Sequence, residues 1–273
     1  MKLRRSSVTR GCRFWFYEND RTIGQRIAID KYDPYLTKLF LDSINPGDTV
    51  LDIGANIGYD SVLFAKTAKT VYAFEPDSQN FKLLQKNIAE NNIKNIVAEQ
   101  KAVGQCKGTV SIFRSKNNYG DQRVYSSKNQ NVVSEQAEVV NLDNYLKLLK
   151  IAMIKIDVQG YEPAVISGAY KIISRDKPIL FWEYWPWGYK AAGLDYRKMV
   201  ADLLKLYGAI YYIDEYIQIY YPVDQRWLDK RFSELDNQAQ CNLVVLPSQN
   251  IWRQYKDFWL KKWIKRKLGR PAT

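Results

Sequence analysis

Residues 52–58 read DIGANIG and bring a carboxylate, two glycines and an amide side chain together in one short loop. Gly54 and Gly58 permit a tight turn and a close approach of a ligand to the backbone. Asp52 adds a carboxylate at the end of an apolar run, which suits a ligand that carries an ammonium group. Glu75 ends the next apolar run, where a carboxylate accepts hydrogen bonds from both hydroxyls of a ribose. These residue types predict a pocket for a ligand with an ammonium group and a ribose.

The elements that position these groups are a strand at 49–53, a helix from about 59 to 67 and a second strand at 70–74. A helix that starts at the loop directs its free amide groups towards the ligand. The loop follows the pattern DxGxNxG and lacks the GxGxxG typical of a dinucleotide site. A dinucleotide site and a glycine turn that binds nothing are the alternatives, and the complete strand–loop–helix–strand arrangement disfavours both.

Strand-like and helix-like segments alternate along most of the chain, which is typical of a parallel sheet flanked by helices. We predict an α/β fold with a seven-stranded, mostly parallel sheet and helices on both faces. The last two strands are far apart in sequence and fit a two-strand antiparallel edge. The polar stretch 115–131 is predicted to be a loop. The seven strands are predicted at 49–53, 70–74, 96–102, 152–157, 178–184, 209–214 and 242–246, a further strand at 109–113, and helices at 35–43, 59–67, 161–174, 195–207 and from Asp77 or Ser78.

The chain contains no histidine, so acid–base chemistry falls to Asp, Glu, Lys or Tyr. Asp157 and Glu183 are the candidate bases, because each ends a predicted strand, where open α/β sheets bind their ligands. Lys155 lies two residues before Asp157 and shares its face of the strand. It is a candidate for tuning Asp157 or orienting an acceptor, and a partly buried ion pair is the alternative. No metal is predicted, since a metal would need a hard-cation site built from carboxylates.

Two segments mix aromatic rings with polar groups and are candidates for binding an acceptor substrate. Flat rings beside carboxylates and amides suit a sugar, which has apolar faces and a polar rim. Packing of these aromatics in the core or in a lid is the alternative. The candidate residues are Asn118, Tyr119, Asp121 and Arg123 in the first segment, and Trp185 and Trp187 in the second.

Five segments in order resemble the FkbM family of S-adenosylmethionine (SAM)-dependent methyltransferases, and together they extend over residues 46–184. This resemblance implies a class I methyltransferase with a Rossmann-like fold, SAM as cofactor and S-adenosylhomocysteine (SAH) as product. The segments are PGDTVLDIGANIGYDS (46–61), VYAFEPD (71–77), QKAVG (100–104), IKIDVQGYEPAVISGA (154–169) and ILFWEY (179–184).

The resemblance also implies roles for individual residues. It assigns Glu75 to the ribose and Asp157 to the neighbourhood of the sulfonium. Family members mostly carry glutamate where this chain has Gln159, which weakens any role for a carboxylate at that position. The implied contacts to the methionine part are Asp52, Gly54, Asn56 and Gly58, those to the adenine are Lys101 and Ala102, and Ala55 and Pro76 complete the predicted cofactor site.

The net charge of +12 comes from the two ends of the chain. Residues 1–13 and 253–273 carry all of the excess, and the body between them is neutral, which argues against a nucleic-acid groove across it. We predict a basic segment with a cap helix at 1–45, a methyltransferase domain at 46–248 and a basic, aromatic amphipathic helix at 249–273. Residues 251–268 suit peripheral contact with an anionic membrane, and docking on the protein's own body is the alternative.

Three well-separated cysteines and the lack of a recognisable secretion signal are typical of a cytoplasmic protein, with peripheral contact at the inner face of the membrane as an addition. The predicted function is SAM-dependent O-methylation of a sugar hydroxyl on a glycan, glycolipid or nucleotide-sugar. The alternatives are methylation of another natural product, RNA or protein, and a membrane- or glycan-binding protein with an inactive methyltransferase fold.

Overall fold

A computed structural model describes residues 2–115, 120–126, 133–232 and 239–247 of the 273-residue chain. Its strands are β1 (Leu3–Arg5), β2 (Trp15–Tyr17), β3 (Thr49–Ile53), β4 (Thr70–Phe74), β5 (Ile96–Glu99), β6 (Ala102–Val103), β7 (Gly108–Phe113), β8 (Val133–Val140), β9 (Met153–Ile156), β10 (Ile179–Tyr184), β11 (Ile210–Asp214), β12 (Ile219–Val223) and β13 (Cys241–Val245). Its helices are α1 (Gly24–Ala28), α2 (Pro34–Asp42), α3 (Tyr59–Phe64), α4 (Ser78–Glu90), α5 (Leu142–Tyr145), α6 (Glu162–Gly168), α7 (Tyr170–Asp176), α8 (Pro186–Ala191), α9 (Tyr196–Tyr207) and α10 (Gln225–Arg231).

The main sheet has eight strands in the order β12-β11-β13-β10-β9-β3-β4-β5. Five of them, from β10 to β5, run parallel. β13 is antiparallel to both β10 and β11, and β12 is antiparallel to β11. The predicted α/β class and mostly parallel sheet are confirmed. The chain order reverses at β3, so β3 and β9 meet at the switch point where ligands bind in such sheets.

The predicted count of seven strands is wrong by one, because the stretch between β11 and β13 contributes the edge strand β12. Its sequence includes Pro222, which argues against a strand in the interior of a sheet. An edge strand tolerates proline, since one of its sides needs no amide donor. The turn before β12 is closed by Gln218 with a left-handed φ of 53°. The antiparallel edge therefore has three strands, β13, β11 and β12, where two were predicted.

Three other elements differ from the predicted bounds. The strand predicted at 96–102 stops at Glu99, and β6 joins β8 and β7 in a separate three-stranded sheet. The helix predicted at 161–174 is divided into α6 and α7, where a Cβ on Gly168 would lie 2.0 Å from the carbonyl oxygen of Gly104. The aromatic segment after β10 was predicted only as a candidate for acceptor binding, and it forms the unpredicted helix α8, which begins with Pro186 at its first turn.

Helices cover both faces of the main sheet, and β10 shows how the two cores are divided. Leu180 and Trp182 pack with α6, α7 and α9, and Ile179 and Phe181 pack with α2 and α3. This alternation follows from the two-residue period of a strand. Because α2 is held by Phe40 against Phe181, with ring centroids 4.8 Å apart, the segment before it lies beside the carboxyl ends of β9 and β10.

Residues 2–45 form the hairpin β1–β2 and the helices α1 and α2. Phe14 and Ile27 are buried against Ile57 and Leu63, so this segment packs on the helix that follows the glycine loop. Among the described residues, no helix combines the length and the apolar character that a membrane span needs. The predicted amphipathic helix at 249–273 lies outside the described residues.

Candidate active site

A cleft of about 850 Å³, partly open to solvent, lies at the carboxyl ends of β3, β4 and β9. The structure brings together most of the residues predicted for the cofactor site. Those that line the cleft are Gly54, Ala55, Asn56, Glu75, Pro76, Lys101, Ala102 and Asp157, and Lys155, predicted to tune Asp157 or orient an acceptor, lines it as well.

The glycines of the loop are required by the protein's own packing. Gly54 and Gly58 have left-handed φ angles of 81° and 83°. A Cβ on Gly54 would lie 1.8 Å from the carbonyl oxygen of Asp157, and a Cβ on Gly58 would lie 2.4 Å from Leu84 Cδ1. The tight turn was predicted correctly, but the close approach is made by β9 and α4. Gly58 then caps α3, directly after Ile57, which lines the cleft.

Asp52 lies behind the wall of the cleft, with none of its surface exposed. Its carboxylate accepts hydrogen bonds from Ser61 Oγ at 2.5 Å and from Lys155 Nζ at 3.0 Å. Asp52 and Lys155 face each other across the β3–β9 register. The predicted direct contact between Asp52 and a ligand's ammonium group is therefore replaced by an ion pair within the protein.

Lys155 is the centre of a buried charge cluster. Its Nζ lies 3.0 Å from Asp52 and 3.5 Å from Asp60. Burial alone would lower the pKa of Lys155, but Asp52, Asp60 and Asp157 together raise it. Burial also raises the pKa of Asp60 to about 7, against the effect of Lys155. Lys155 is thus a permanent cation that holds acids in place, as the ion-pair alternative proposed.

Glu75 closes the far wall of the cleft. One of its oxygens accepts from the Asn56 amide at 2.8 Å and the other from the Asp77 amide at 2.9 Å. Burial, followed by the charge of Asp77, raises the pKa of Glu75 to about 8. An ionised carboxylate offers about four acceptor sites. Two sites therefore remain for donors that enter the cleft.

Three carboxylates gather beside the cleft, with one oxygen each of Asp157, Glu162 and Glu183 within 4.8 Å of one another. The side-chain amide of Gln159 donates to Asp157 at 2.7 Å and lies 3.3 Å from Glu183. Burial and the charges of Asp157 and Glu162 raise the pKa of Glu183 well above its ordinary value. Gln159 has a left-handed φ of 54°, which aims this amide into the cluster.

Glu162 shapes the loop that carries these groups. The structure shows a fully buried carboxylate that accepts from the backbone amides of Val158 at 2.9 Å and Gly160 at 3.0 Å. Burial raises its pKa to about 8. Because Glu162 fixes residues 158–160, it also fixes Asp157 and Gln159 on either side of Val158.

The segment 120–126 covers the cleft with alternating side chains. Gly120, Gln122 and Val124 line it. Asp121 and Arg123 point elsewhere: they form a bidentate ion pair, with Nε–Oδ1 at 2.6 Å and Nη2–Oδ2 at 3.0 Å. This alternation is that of an extended chain.

Arg123 fastens this cover to α8. Its guanidinium carbon lies 4.8 Å from the Trp185 ring centroid and 5.9 Å from that of Trp187. Trp185 is only 5 % exposed. Asp121, Arg123, Trp185 and Trp187 therefore contact one another, in agreement with the lid-packing alternative. Asn118 and Tyr119, the other two residues predicted to bind the acceptor, lie outside the described residues.

Several residues of the cleft were not anticipated. Tyr32 comes from the segment between α1 and α2, and burial followed by the charge of Asp33 raises its pKa well above the ordinary value. Asp60 comes from the first turn of α3, two residues after the glycine loop, where an acid beside a predicted site was a usable signal. Tyr32 carried no such signal, since only the packing of α2 brings it to the sheet edge.

Comparison with known proteins shows the family of this chain. Residues 52–211, more than half of the chain, match the family described as the methyltransferase FkbM domain. Methyltransferase 1 of Beauveria bassiana (strain ARSEF 2860) is 23 % identical over 147 residues, which cover 45 % of this chain and 59 % of that protein. This chain therefore spans less than two thirds of the length of that relative.

Two solved structures are similar at lower identity. The methyltransferase FkbM of Methylobacillus flagellatus KT is 17 % identical with a TM-score of 0.42, over 62 % of this chain and 44 % of that one. SMU.1697c of Streptococcus mutans, a putative methyltransferase in complex with SAH, is 14 % identical with a TM-score of 0.43, over 79 % and 98 %. Both likenesses are too low to bear on function. The family match extends over the glycine loop, Glu75 and Asp157, and the chain belongs to the FkbM methyltransferase domain family.

Proposed function

We propose that this chain is a SAM-dependent O-methyltransferase that acts on a hydroxyl group of a sugar. The observation that carries the proposal is the cleft itself, in which Glu75 and Asp157 lie on one continuous surface at the switch point of the sheet. Family membership supports methyl transfer. The sugar acceptor is the finer part of the proposal and rests on the chemistry of the residues beside Asp157.

The residues of the cleft fit SAM. In its ionised form Glu75 has two acceptor sites free after binding two backbone amides, which matches the two hydroxyls of a ribose. Lys101 and Ala102 lie on the wall next to Glu75 and would flank the adenine. Lys101 is held in place by Glu99 and Tyr145, each at 2.8 Å. When bound, SAM supplies a methyl group on a sulfonium that is already electrophilic.

What remains for the protein is to align the acceptor and to accept its proton. Aligning two reactants contributes up to about 7–11 kcal/mol in ideal cases, and a positioned base adds about 10²–10⁴-fold. Glu183 was a candidate base, but burial and the charges of Asp157 and Glu162 raise its pKa and favour its neutral form. We therefore assign the base to Asp157, which accepts from Gln159 and lines the cleft. Lys155 acts as a positioning residue through Asp52 and Asp60.

Acids around the acceptor favour oxygen over nitrogen as the methylated atom. A nearby carboxylate stabilises an ammonium ion and so removes the lone pair that an amine needs to attack. A hydroxyl has no such protonated form near neutral pH and gains a base from the same carboxylate. The carboxylates of Asp157 and Asp60 on the cleft therefore support O-methylation.

Calorimetry with SAH and transfer of a labelled methyl group test this proposal together. The intact protein should bind SAH and should label a glycan fraction when supplied with methyl-labelled SAM. Asp157→Asn should bind SAH normally and lose transfer, whereas Glu75→Ala should lose both. Asp202→Asn is the matched control, because Asp202 is a surface acid paired with Lys198 on α9. Failure of the intact protein to bind SAH would overturn the proposal.

A further inference from the structure

A second cavity of about 360 Å³ adjoins the cofactor cleft on the side of α2. We call it the side chamber. It shares Tyr32, Asp60, Lys155 and Asp157 with the cleft, so these four residues form the boundary between the two spaces. The proposed base, Asp157, therefore faces both. A group in the side chamber can reach Asp157 without occupying the cleft.

We propose that the side chamber receives the acceptor, and that it selects an uncharged, hydroxyl-bearing group and repels an anionic one. This inference rests on the proposed function, because it assigns the acceptor of the same reaction. Methyl transfer is an in-line displacement, so donor and acceptor approach the methyl group from opposite sides. Two cavities that meet at Asp157 provide separate spaces for the two reactants.

An unsatisfied buried acceptor marks the boundary. Asp60 is 8 % exposed, and its Oδ2 lies 3.5 Å from Lys155 Nζ. Its Oδ1 is buried and has no hydrogen-bond partner among the described residues. A buried acceptor without a donor is unfavourable, and a hydroxyl that donates to it removes that penalty. The side chamber thus holds a place for a donor group next to the proposed base.

The other walls suit a sugar ring. Phe40 and Phe181 form an apolar side. Asn242 and Thr37 add polar groups, and the Asn242 amide donates one hydrogen to Glu215 at 2.9 Å. It therefore keeps an acceptor oxygen and a second hydrogen for another partner. Apolar and polar walls in one cavity match the apolar face and the hydroxyl rim of a pyranose.

The balance of charge decides which acceptors enter. Asp33, Asp60 and Asp157 line the side chamber, and Lys155 is its one cation among the described residues. Lys155 is already paired with Asp60 and with the buried Asp52.

Asp33 is only weakly paired in the side chamber, and burial raises its pKa. Its partner Arg26 is 3.7 Å away, but the Arg26 side chain is about half exposed and its charge is screened by solvent. The remaining excess is negative, and the carboxylate of Glu215 lies nearby. A carboxylate or phosphate on the acceptor would meet like charges.

The test measures binding of probes to the SAH-loaded protein by saturation-transfer NMR. The probes are methyl α-D-glucopyranoside, the methyl glycoside of glucuronic acid and glucose 6-phosphate. The neutral glycoside should give a saturation-transfer signal. Each anion should bind more than about tenfold more weakly, because contact between like charges lowers affinity by more than that factor. Equal signals from neutral and anionic probes, or none from the neutral probe, would overturn the proposal.

Two variants locate the probe. Asn242→Phe fills the side chamber. It should abolish the saturation-transfer signal of the neutral glycoside and leave SAH binding intact. Asp33→Asn keeps the left-handed backbone accessible and should raise binding of the anions at least about threefold, because it removes one repelling charge. Asp30→Asn is the matched control: Asp30 is also left-handed (φ 53°) but is an exposed partner of Arg10.

The outcomes separate this inference from the proposed function. If SAH binds and neither variant changes the probe signals, the side chamber is not the acceptor site, and the SAM-binding part of the proposal stands. If SAH itself does not bind, the proposed function fails first. If Asn242→Phe does not fold, the comparison of anion binding by Asp33→Asn and Asp30→Asn still tests the charge selection.

Discussion

Protonation of Glu75 should control how tightly the cleft binds its nucleoside ligand. The carboxyl is buried, and its pKa of about 8 means that it holds a proton at pH 7. Its two oxygens already accept the Asn56 and Asp77 amides. Only the ionised form has enough acceptor sites to take two ribose hydroxyls as well. Affinity for SAH should therefore increase as the pH rises through the pKa of Glu75.

The size of the effect follows from the fraction of Glu75 that is ionised. With a pKa of about 8 that fraction is about 0.09 at pH 7 and about 0.91 at pH 9. The dissociation constant of SAH should then fall about tenfold between these pH values, or about 1.4 kcal/mol. Glu75→Gln removes the titration and one charged acceptor, and should weaken binding at pH 9 by about 1.5–3 kcal/mol, about 10- to 150-fold.

Calorimetry of SAH binding at half-unit steps from pH 6.5 to 9 measures both effects. The amino group of SAH titrates in the same range, but it does so in every variant, so the difference between wild type and Glu75→Gln isolates the carboxyl. Asp202→Asn should reproduce the wild-type profile. The reasoning is refuted if the profiles of wild type and Glu75→Gln run parallel, because Glu75 would then not exchange a proton on binding.

Three further predictions concern stability and the cover of the cleft. The pKa values of Glu162 (about 8) and Asp60 (about 7) are raised in the folded state. Both groups therefore stabilise the fold most below their unfolded pKa values, and this contribution is lost as the pH rises to 7–8. In chemical denaturation of the ligand-free protein, the free energy of unfolding should fall from pH 5 to 8 by up to about 1.4 kcal/mol per pH unit for each group. Lys155→Met leaves Asp52 charged and buried without its partner. The free energy of unfolding in urea titrations should drop by about 3–5 kcal/mol. An unchanged value would show that solvent reaches Asp52. Arg123→Leu releases segment 120–126 from Trp185 and should speed SAH dissociation about tenfold in stopped-flow measurements. The reason is that a desolvated cation–π contact contributes up to about 2 kcal/mol. A dissociation rate like that of the wild type would show that this segment does not retain the ligand.

The placement of the site was predictable from the sequence because it depends on local rules. A strand, a glycine turn and a helix start are neighbours in the chain, and the next strand ends in Glu75 at the same edge of the sheet. Asp157 was found by the same rule. Parallel strands present their carboxyl ends together, so the residue types at those ends indicate a site without knowledge of the packing.

Residues that reach the site through packing were not predictable in this way. Tyr32 and the side chamber depend on how α2 lies against Phe181, which is a contact between segments far apart in sequence. The edge strand β12 was missed because Pro222 argues against a strand in general and only an edge position tolerates it. The helix α8 was not predicted, although Pro186 stands at its first turn, where proline is favoured.

The role of Asp52 shows why residue type at a strand end is not sufficient. A carboxylate there suits an ammonium group, and the protein itself supplies one, because Lys155 stands opposite Asp52 in the β3–β9 register. The pairing follows once the two strands are adjacent and their register is known, and neither can be obtained from either segment alone. Lys155 and Asp157 are two residues apart and therefore lie on the same face of the strand. The ion pair between Lys155 and Asp52 thus also holds in place the strand that leads to the proposed base.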